Sequence, residues 1–155
     1  MHKNIEIKEL LSEQASTLSA LILNAPEDYS KYFIPFSFED YSIKKIINDA
    51  VNDKYFGIFI NDELAGFYML RGFDEGYEVP SYGVWISDKD SGLGLSKLTL
   101  QHAITFCKLN GIKKIMLKVH PDNTIAKNIY ENFGFVQDGF DNNNGNYIYH
   151  KNLSD

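Results

Sequence analysis

With a single cysteine, Cys107, the 155-residue chain forms no internal disulfide, so its core has to come from apolar packing. Packing suffices at this size, because a domain of roughly 150 residues buries about 68–70% of its unfolded surface. Apolar residues make up 44% of the sequence, with 11 Phe and 10 Tyr. Cys107 falls in a helical pattern between Phe106 and Leu109, which reads as a small core residue rather than a reactive thiol. Long apolar runs are also missing. None approaches the ~20 residues that span a bilayer, and Met1-His2-Lys3-Asn4-Ile5-Glu6 contains no apolar signal core. No membrane association and a reducing, cytoplasmic setting are expected. Repeats, linkers and low-complexity segments are absent apart from the turn-like stretch 141–146, so one domain over 1–155 is expected.

Positive charge is scarce, and a net charge of -6 argues against a nucleic-acid partner. It is unevenly spread: residues 1–88 carry -8, residues 89–127 carry +5 and residues 128–155 carry -3. One basic island in an acidic chain suggests contact with an anion.

Ile5 and Ile7 alternate with polar neighbours in a first strand. A helix is expected from Ser12, a possible cap, to Asn24, and a second from about Glu39 to Asn52. Ser37 and Asp40 have the spacing of a capping box for that second helix. In it Ile43, Ile46, Ile47 and Ala50 share one face. Residues 55–60 and 64–70 read as a hairpin, and 82–86 as a further strand. A long helix follows from Leu95 to Asn110, apolar at Leu95, Leu98, Ala103 and Phe106 and stopped by Gly111. Then come a strand at 115–119, a helix at 123–132, and strands at 135–136 and 147–149. This order predicts a mixed α/β fold, a single sheet with helices packed on it.

Two motifs carry chemistry. Ser91-Gly92-Leu93-Gly94-Leu95-Ser96 joins a strand to the long helix. Glycines there let backbone approach a ligand, and the helix start aims unpaired N–H groups at it, which suits a phosphate or pyrophosphate. The segment matches neither the Rossmann nor the Walker pattern. The second motif has the spacing N-x-x-A-x-x-x-Y-x-x-x-G-F, through Asn123, Ala126, Tyr130, Gly134 and Phe135. Its first three members line one helix face. Singly each has a structural explanation: a cap, a close-packed alanine, a half-buried aromatic, a helix stop.

Together these motifs resemble the GNAT superfamily of acyl-CoA-dependent N-acetyltransferases, over nearly the whole chain and most strongly from Tyr82 to Phe135. The resemblance implies a mixed, mostly antiparallel twisted sheet of about seven strands with about four helices. It also implies a splay between the strands bearing Val84 and Leu117. Acetyl-CoA is the implied co-substrate, with no metal, and a homodimer is an implied assembly. Backbone around Trp85 and Ile86 would pair with pantetheine, and Ser91, Gly92, Leu93, Gly94, Leu95 and Ser96 would cradle pyrophosphate. Asn123 would bond the pantetheine arm, beside Ala126 and Tyr130, with Lys127 near the phosphates. The family's loop reads Arg/Gln-x-x-Gly-x-Gly/Ala. The register that preserves helix length puts Ser91 first, leaving Lys89, Lys97 or Lys127 to supply the cation; the other register starts at Lys89.

A phenol, of reference pKa about 10, can protonate a departing thiolate, which gives Tyr130 the role of general acid. Backbone N–H near Ile86 would meet the oxyanion. The base is open. Ser81 stands where many relatives carry glutamate, Glu78 is the nearest carboxylate and would act through water, and His120 ends the next strand. The acceptor pocket is expected from the first two helices and the last hairpin, around Tyr29, Tyr32, Phe33, Phe36, Tyr77, Tyr147 and Tyr149, with Ser81 and His120. Of these, Phe33 and Phe36 read better as core. An aromatic, acidic cleft suits a cationic amine. A small molecule (polyamine, amino sugar or amino-acid derivative) is the first expectation and a protein N-terminus or lysine the second. A non-catalytic acyl-CoA sensor is the third.

Overall fold

The computed structural model describes residues 2–33 and 35–154; Ile34, within the aromatic stretch 29–36, lies outside them. Seven strands form one sheet: β1 (Ile5–Glu9), β2 (Lys54–Ile60), β3 (Glu63–Arg71), β4 (Ser81–Ile86), β5 (Lys114–Val119), β6 (Val136–Phe140) and β7 (Tyr147–Asn152). Their order is β1-β2-β3-β4-β5-β7-β6. Every neighbouring pair is antiparallel except β4 and β5, which run parallel. Four helices cover the sheet: α1 (Ala15–Leu23), α2 (Asp40–Asp49), α3 (Leu95–Leu109) and α4 (Thr124–Asn132). The expected mixed, mostly antiparallel architecture is what forms, and no helix among the described residues is long and apolar enough to cross a membrane.

Strand alternation sends β3 into two cores. Phe67 and Met69 meet α1 and α2 in a cluster with Leu18, Ile22, Ile43 and Trp85. Tyr68 and Leu70 meet α3 and α4 in a cluster with Tyr82, Leu100, Ile104, Leu117 and Tyr149. Leu64 to Leu70 is consequently buried without a break.

Three local expectations are corrected. Ser12 is not a cap: a 3-10 turn, Ser12–Gln14, precedes α1, and the Leu11 N–H donates to the Gln14 side chain at 2.8 Å. Ser37 and Asp40 form no capping box, because Glu39 is the N-cap of α2 and Asp40 accepts the Ser16 hydroxyl at 2.7 Å. The buried stripe of α3 is Leu95, Thr99, Leu100, Ala103, Ile104 and Cys107, while Leu98 is 42% exposed. Thr99 displaces Leu98 because its hydroxyl is satisfied inside the core, 3.0 Å from Tyr82 Oη and donating to the Ser96 carbonyl at 2.9 Å.

Burial pushes the Cys107 thiol up to about 12 and raises the phenols of Tyr68 and Tyr82 well above their ordinary range. In the unfolded chain these groups lose their protons near pH 9–10. Above that the unfolded state binds fewer protons than the native one, so stability falls as pH rises. The slope is about 1.4 kcal/mol per pH unit for each group, until its native pKa is passed. Urea midpoints should therefore be flat from pH 7 to 8.5 and drop steeply by pH 10.5. A midpoint unchanged at pH 10.5 contradicts the burial of these hydroxyls.

Candidate active site

The sheet opens where its two parallel strands meet. Only Ser81↔Met116 and Tyr82↔Leu117 pair between β4 and β5; beyond them the strands part. The Pro80 carbonyl accepts the Met116 N–H at 3.0 Å, and the Ser87 N–H donates to Ala65 on β3 at 2.8 Å. Backbone groups alternate sides along a strand. Hence Tyr82, Val84 and Ile86 face β5, and Ser81, Gly83 and Trp85 face β3. Val84 and Ile86 are left on the open edge. This corrects the expectation for Trp85, whose backbone belongs to the β3 side and whose indole N–H donates to Ser30 Oγ at 2.7 Å.

The loop after α1 spans the wide end of the opening. Tyr29 donates its hydroxyl to the Ile86 carbonyl at 2.6 Å and packs edge-on against Trp85. Tyr32 stacks on His120, with centroids 4.5 Å apart, at the far end of β5. The His120 Nδ1 accepts the Asp122 N–H at 3.0 Å, a loop role. On β4 the Val84 amide and carbonyl and the Ile86 N–H stay free of β5.

Below this edge the chain turns through Ser91–Gly94 into α3. Gly92 and Gly94 have φ of +79° and +85°, the left-handed region where a Cβ is strained. Added Cβ atoms at either would meet nothing within 4 Å, so the turn's outer side is open. Gly94 is the N-cap of α3 and offers no side-chain cap. The first helical bond runs from the Leu98 N–H to the Gly94 carbonyl, which leaves the amides of Leu95, Ser96 and Lys97 outside the ladder. No acid occupies this first turn. These features fit a diphosphate-bearing thioester: free amides for the anion and a strand edge for an amide-bearing arm.

On the other side of the opening, α4 brings up the second motif. Asn123 is its N-cap, its side-chain oxygen accepting the Ala126 N–H at 3.3 Å. Ala126 and Tyr130 pack against the cluster that holds Tyr82, Val84 and Leu117. Tyr130 lies edge-on to Tyr82, the last β4 residue paired with β5, at 6.4 Å, and touches Phe135 at 6.0 Å. Its hydroxyl has no hydrogen-bond partner among the described residues, and burial pushes its pKa up to about 12. The phenol is thus neutral and able to donate throughout the usual pH range. Lys127 extends over the Tyr147 ring at 5.4 Å.

The opposite face of the sheet holds a cleft of about 710 Å³. Of the expected acceptor residues, Phe33, Tyr77 and Ser81 line it, and Glu78 stands exposed on its rim. Tyr29, Tyr32 and His120 instead gather at the wide end of the splay. Phe36 packs on the α1–α2 core, as its apolar setting led one to expect. The expectation for Tyr147 and Tyr149 fails: they pack on the α4 side, where Tyr149 donates to Glu131 at 2.8 Å. Parity decides this, because on β7 it is Ile148 and His150 that lie on the opposite face, where His150 lines the cleft.

Beside Ser81, the cleft floor carries three residues that the sequence did not single out, Arg71, Met116 and His150. Pairings Arg71↔Ser81, Ser81↔Met116 and Met116↔His150 set these four in one row across β3, β4, β5 and β7. His150 Nδ1 donates to Asp138 at 2.6 Å, and Lys118 reaches Asp141 at 3.1 Å. A carboxylate only accepts, so the His150 Nδ1 carries the proton. The cleft lining carries Glu75, Glu78 and Asp141 against Arg71 and Lys118, with the two cations on its floor. A second cleft of about 580 Å³, between Ser16–Ala25 and Ser87–Lys89, has Asp88 and Lys89 as its charged lining residues.

A slot between two parallel strands, flanked by free helix-start amides and an unpartnered phenol, defines a coenzyme A-dependent acyltransferase. The sequence profile of the acetyltransferase (GNAT) family matches residues 19–135, three quarters of the chain, and the protein belongs to that family. No curated protein sequence matches the chain. Solved structures share the fold at low identity. A domain from Methanocaldococcus jannaschii DSM 2661 superposes with a TM-score of 0.81 at 17% identity, covering 98% of this chain and 100% of that one. The ribosomal-protein-S5-alanine acetyltransferase from Vibrio fischeri gives 0.81 at 16%, covering 100% and 96%. The PaiA N-acetyltransferase from Thermoplasma acidophilum, in complex with coenzyme A, gives 0.77 at 20%, covering 96% and 99%.

Proposed function

We propose that this acetyltransferase moves an acetyl group from acetyl-CoA to a primary amine by direct attack in a ternary complex. The observation that carries the reading is the free β4 edge opening beside the unpartnered Tyr130 hydroxyl. In this reading the Val84 amide and carbonyl pair with the pantetheine arm, and Ser91 to Ser96 cradle the pyrophosphate through backbone amides. Asn123 keeps its amide group for the arm, its oxygen being used by the cap. Lys89 and Lys97, near the turn, supply the cation, since Lys127 is turned over Tyr147.

The amine attacks the thioester carbonyl, a C–N bond forms and the C–S bond breaks. Tyr130 gives its proton to the departing sulfur and regains one from water once the thiol has left, and the Ile86 N–H stabilises negative charge on the carbonyl oxygen. The amine's proton leaves through water at Ser81 to Glu78. His150, held by Asp138 on the same floor, is a second outlet.

A small amine is the reading the cleft favours, with walls from Phe33 and Pro35, from residues 72–79 and from residues 141–146. A protein N-terminus is the second reading, prompted by the ribosomal-protein acceptors named among the structural relatives. Titration calorimetry with acetyl-CoA, followed by thiol release across a panel of small amines and N-terminal peptides, tests both. Micromolar donor binding with amine-dependent release is expected. Binding without any release would point to an acyl-CoA sensor, and no donor binding would overturn the proposal.

A further inference from the structure

Arg71 is the only arginine in the sequence. It ends β3, directly opposite Ser81, and lines the cleft where the acceptor is proposed to sit. Its surroundings are unusual for a cation in a chain of net charge -6. The other two basic side chains on that floor are each matched by an acid, Lys118 by Asp141 and His150 by Asp138. Arg71 makes no ion pair among the described residues. Its guanidinium lies over the Phe36 ring at 5.2 Å, donates one long bond, 3.4 Å, to the Pro35 carbonyl, and has the Tyr55 hydroxyl beside it. Its Nε is buried with no hydrogen-bond partner among the described residues.

A buried donor without a partner is costly, and a guanidinium offers five N–H groups in a rigid fork. The Nε is shut off from the cleft, so the donors open to a ligand are the terminal N–H groups of the fork. The aromatic face beneath Arg71 holds the fork in place without consuming donors, which orients it as a preformed receptor. The ligand that matches is a planar anion able to take two parallel bonds, and a carboxylate is that group. Glu75 and Glu78 on the rim, by contrast, suit the approach of an ammonium.

We infer that Arg71 is the anchor of the acceptor site and binds a carboxylate, so that the amine acetylated here belongs to a molecule carrying a carboxylate as well. The inference rests on the acetyl-transfer reading for the amine end. The carboxylate itself comes from either of two sources, a free amino-acid-like compound or an acidic residue next to a peptide N-terminus.

Matched pairs test it by binding, with no turnover needed. The protein saturated with coenzyme A is titrated with β-alanine against β-alaninamide and with 5-aminopentanoate against its amide. A peptide beginning Ser-Asp is set against one beginning Ser-Asn. At least one acid is expected to bind tenfold or more tightly than its neutral twin. The pair that discriminates names the source. In Arg71→Gln the preference should shrink to within about threefold, with coenzyme A affinity unchanged. Arg71→Lys, which keeps the charge and loses the fork, should fall between and guards against a glutamine variant that does not fold. Equal binding of every acid and its twin, binding of none, or a preference that survives in Arg71→Gln overturns the inference. Failure of acetyl transfer shows separately, as absence of coenzyme A binding or of thiol release.

Discussion

Replacing Tyr130 by phenylalanine should lower kcat by about 10²- to 10⁴-fold, the range over which a positioned acid contributes, and leave donor affinity within a factor of two. The substitution removes one oxygen and little else. The ring keeps its edge contact with Tyr82 and its packing on Phe135. The hydroxyl has no partner among the described residues, so its removal should leave stability within about 0.5 kcal/mol of the parent. Any large effect on turnover then reports the proton itself. Because burial holds the phenol at about 12, Tyr130 stays protonated up to about pH 11. A rise in kcat with pH below that point belongs to another group, the attacking amine or its base, each of which has to be deprotonated to act. The check is steady-state kinetics and donor calorimetry on the same preparation. An unchanged kcat eliminates the general-acid role, and loss of donor affinity in step with turnover assigns Tyr130 to packing instead.

The α4 motif was legible because its parts are local. Asn123, Ala126 and Tyr130 share a face through helical periodicity alone, and the structure keeps them together on the core beside Tyr82. The glycine turn was legible for the same reason, Gly92 and Gly94 both needing a left-handed backbone. The acceptor side was not legible, because it is a property of register. Tyr147 and Tyr149 looked like pocket aromatics until pairing with β5 fixed which face of β7 each occupies. A shift of one residue would have exchanged them with Ile148 and His150. Summed charge likewise hid where the cations sit. The segment before Asp88 is strongly acidic, yet its one arginine lies on the cleft floor and its Glu75 and Glu78 lie at the rim. Trp85 and Val84 show the rule at its smallest: adjacent residues, one committed to β3 and the other to the open edge.

The tightest test of that edge is Gly66→Ala, which should cost about 3 kcal/mol or more and weaken donor binding as well. Gly66 sits in β3 opposite Ile86, next to an irregularity in the β2–β3 register at Ile58/Phe59. A Cβ there would come within 2.3 Å of the Trp85 carbonyl oxygen and 2.9 Å of the Ile86 Cα. Both are backbone atoms, so no side-chain rotation relieves the clash. The upper half of β4 has to move away from β3, toward the slot. That half carries Val84 and the Ile86 N–H, the groups proposed to meet the donor, so stability and binding should fall together. Gly139→Ala is the control, because its Cβ meets nothing nearer than 3.9 Å. Urea denaturation read as a midpoint at constant slope, with acetyl-CoA calorimetry on the same samples, makes the comparison. A Gly66→Ala protein within 1 kcal/mol of the parent would mean that β4 yields freely. A free edge that yields so easily cannot hold a thioester at a fixed distance from Tyr130, and the stereochemical basis of the proposed transfer would go with it.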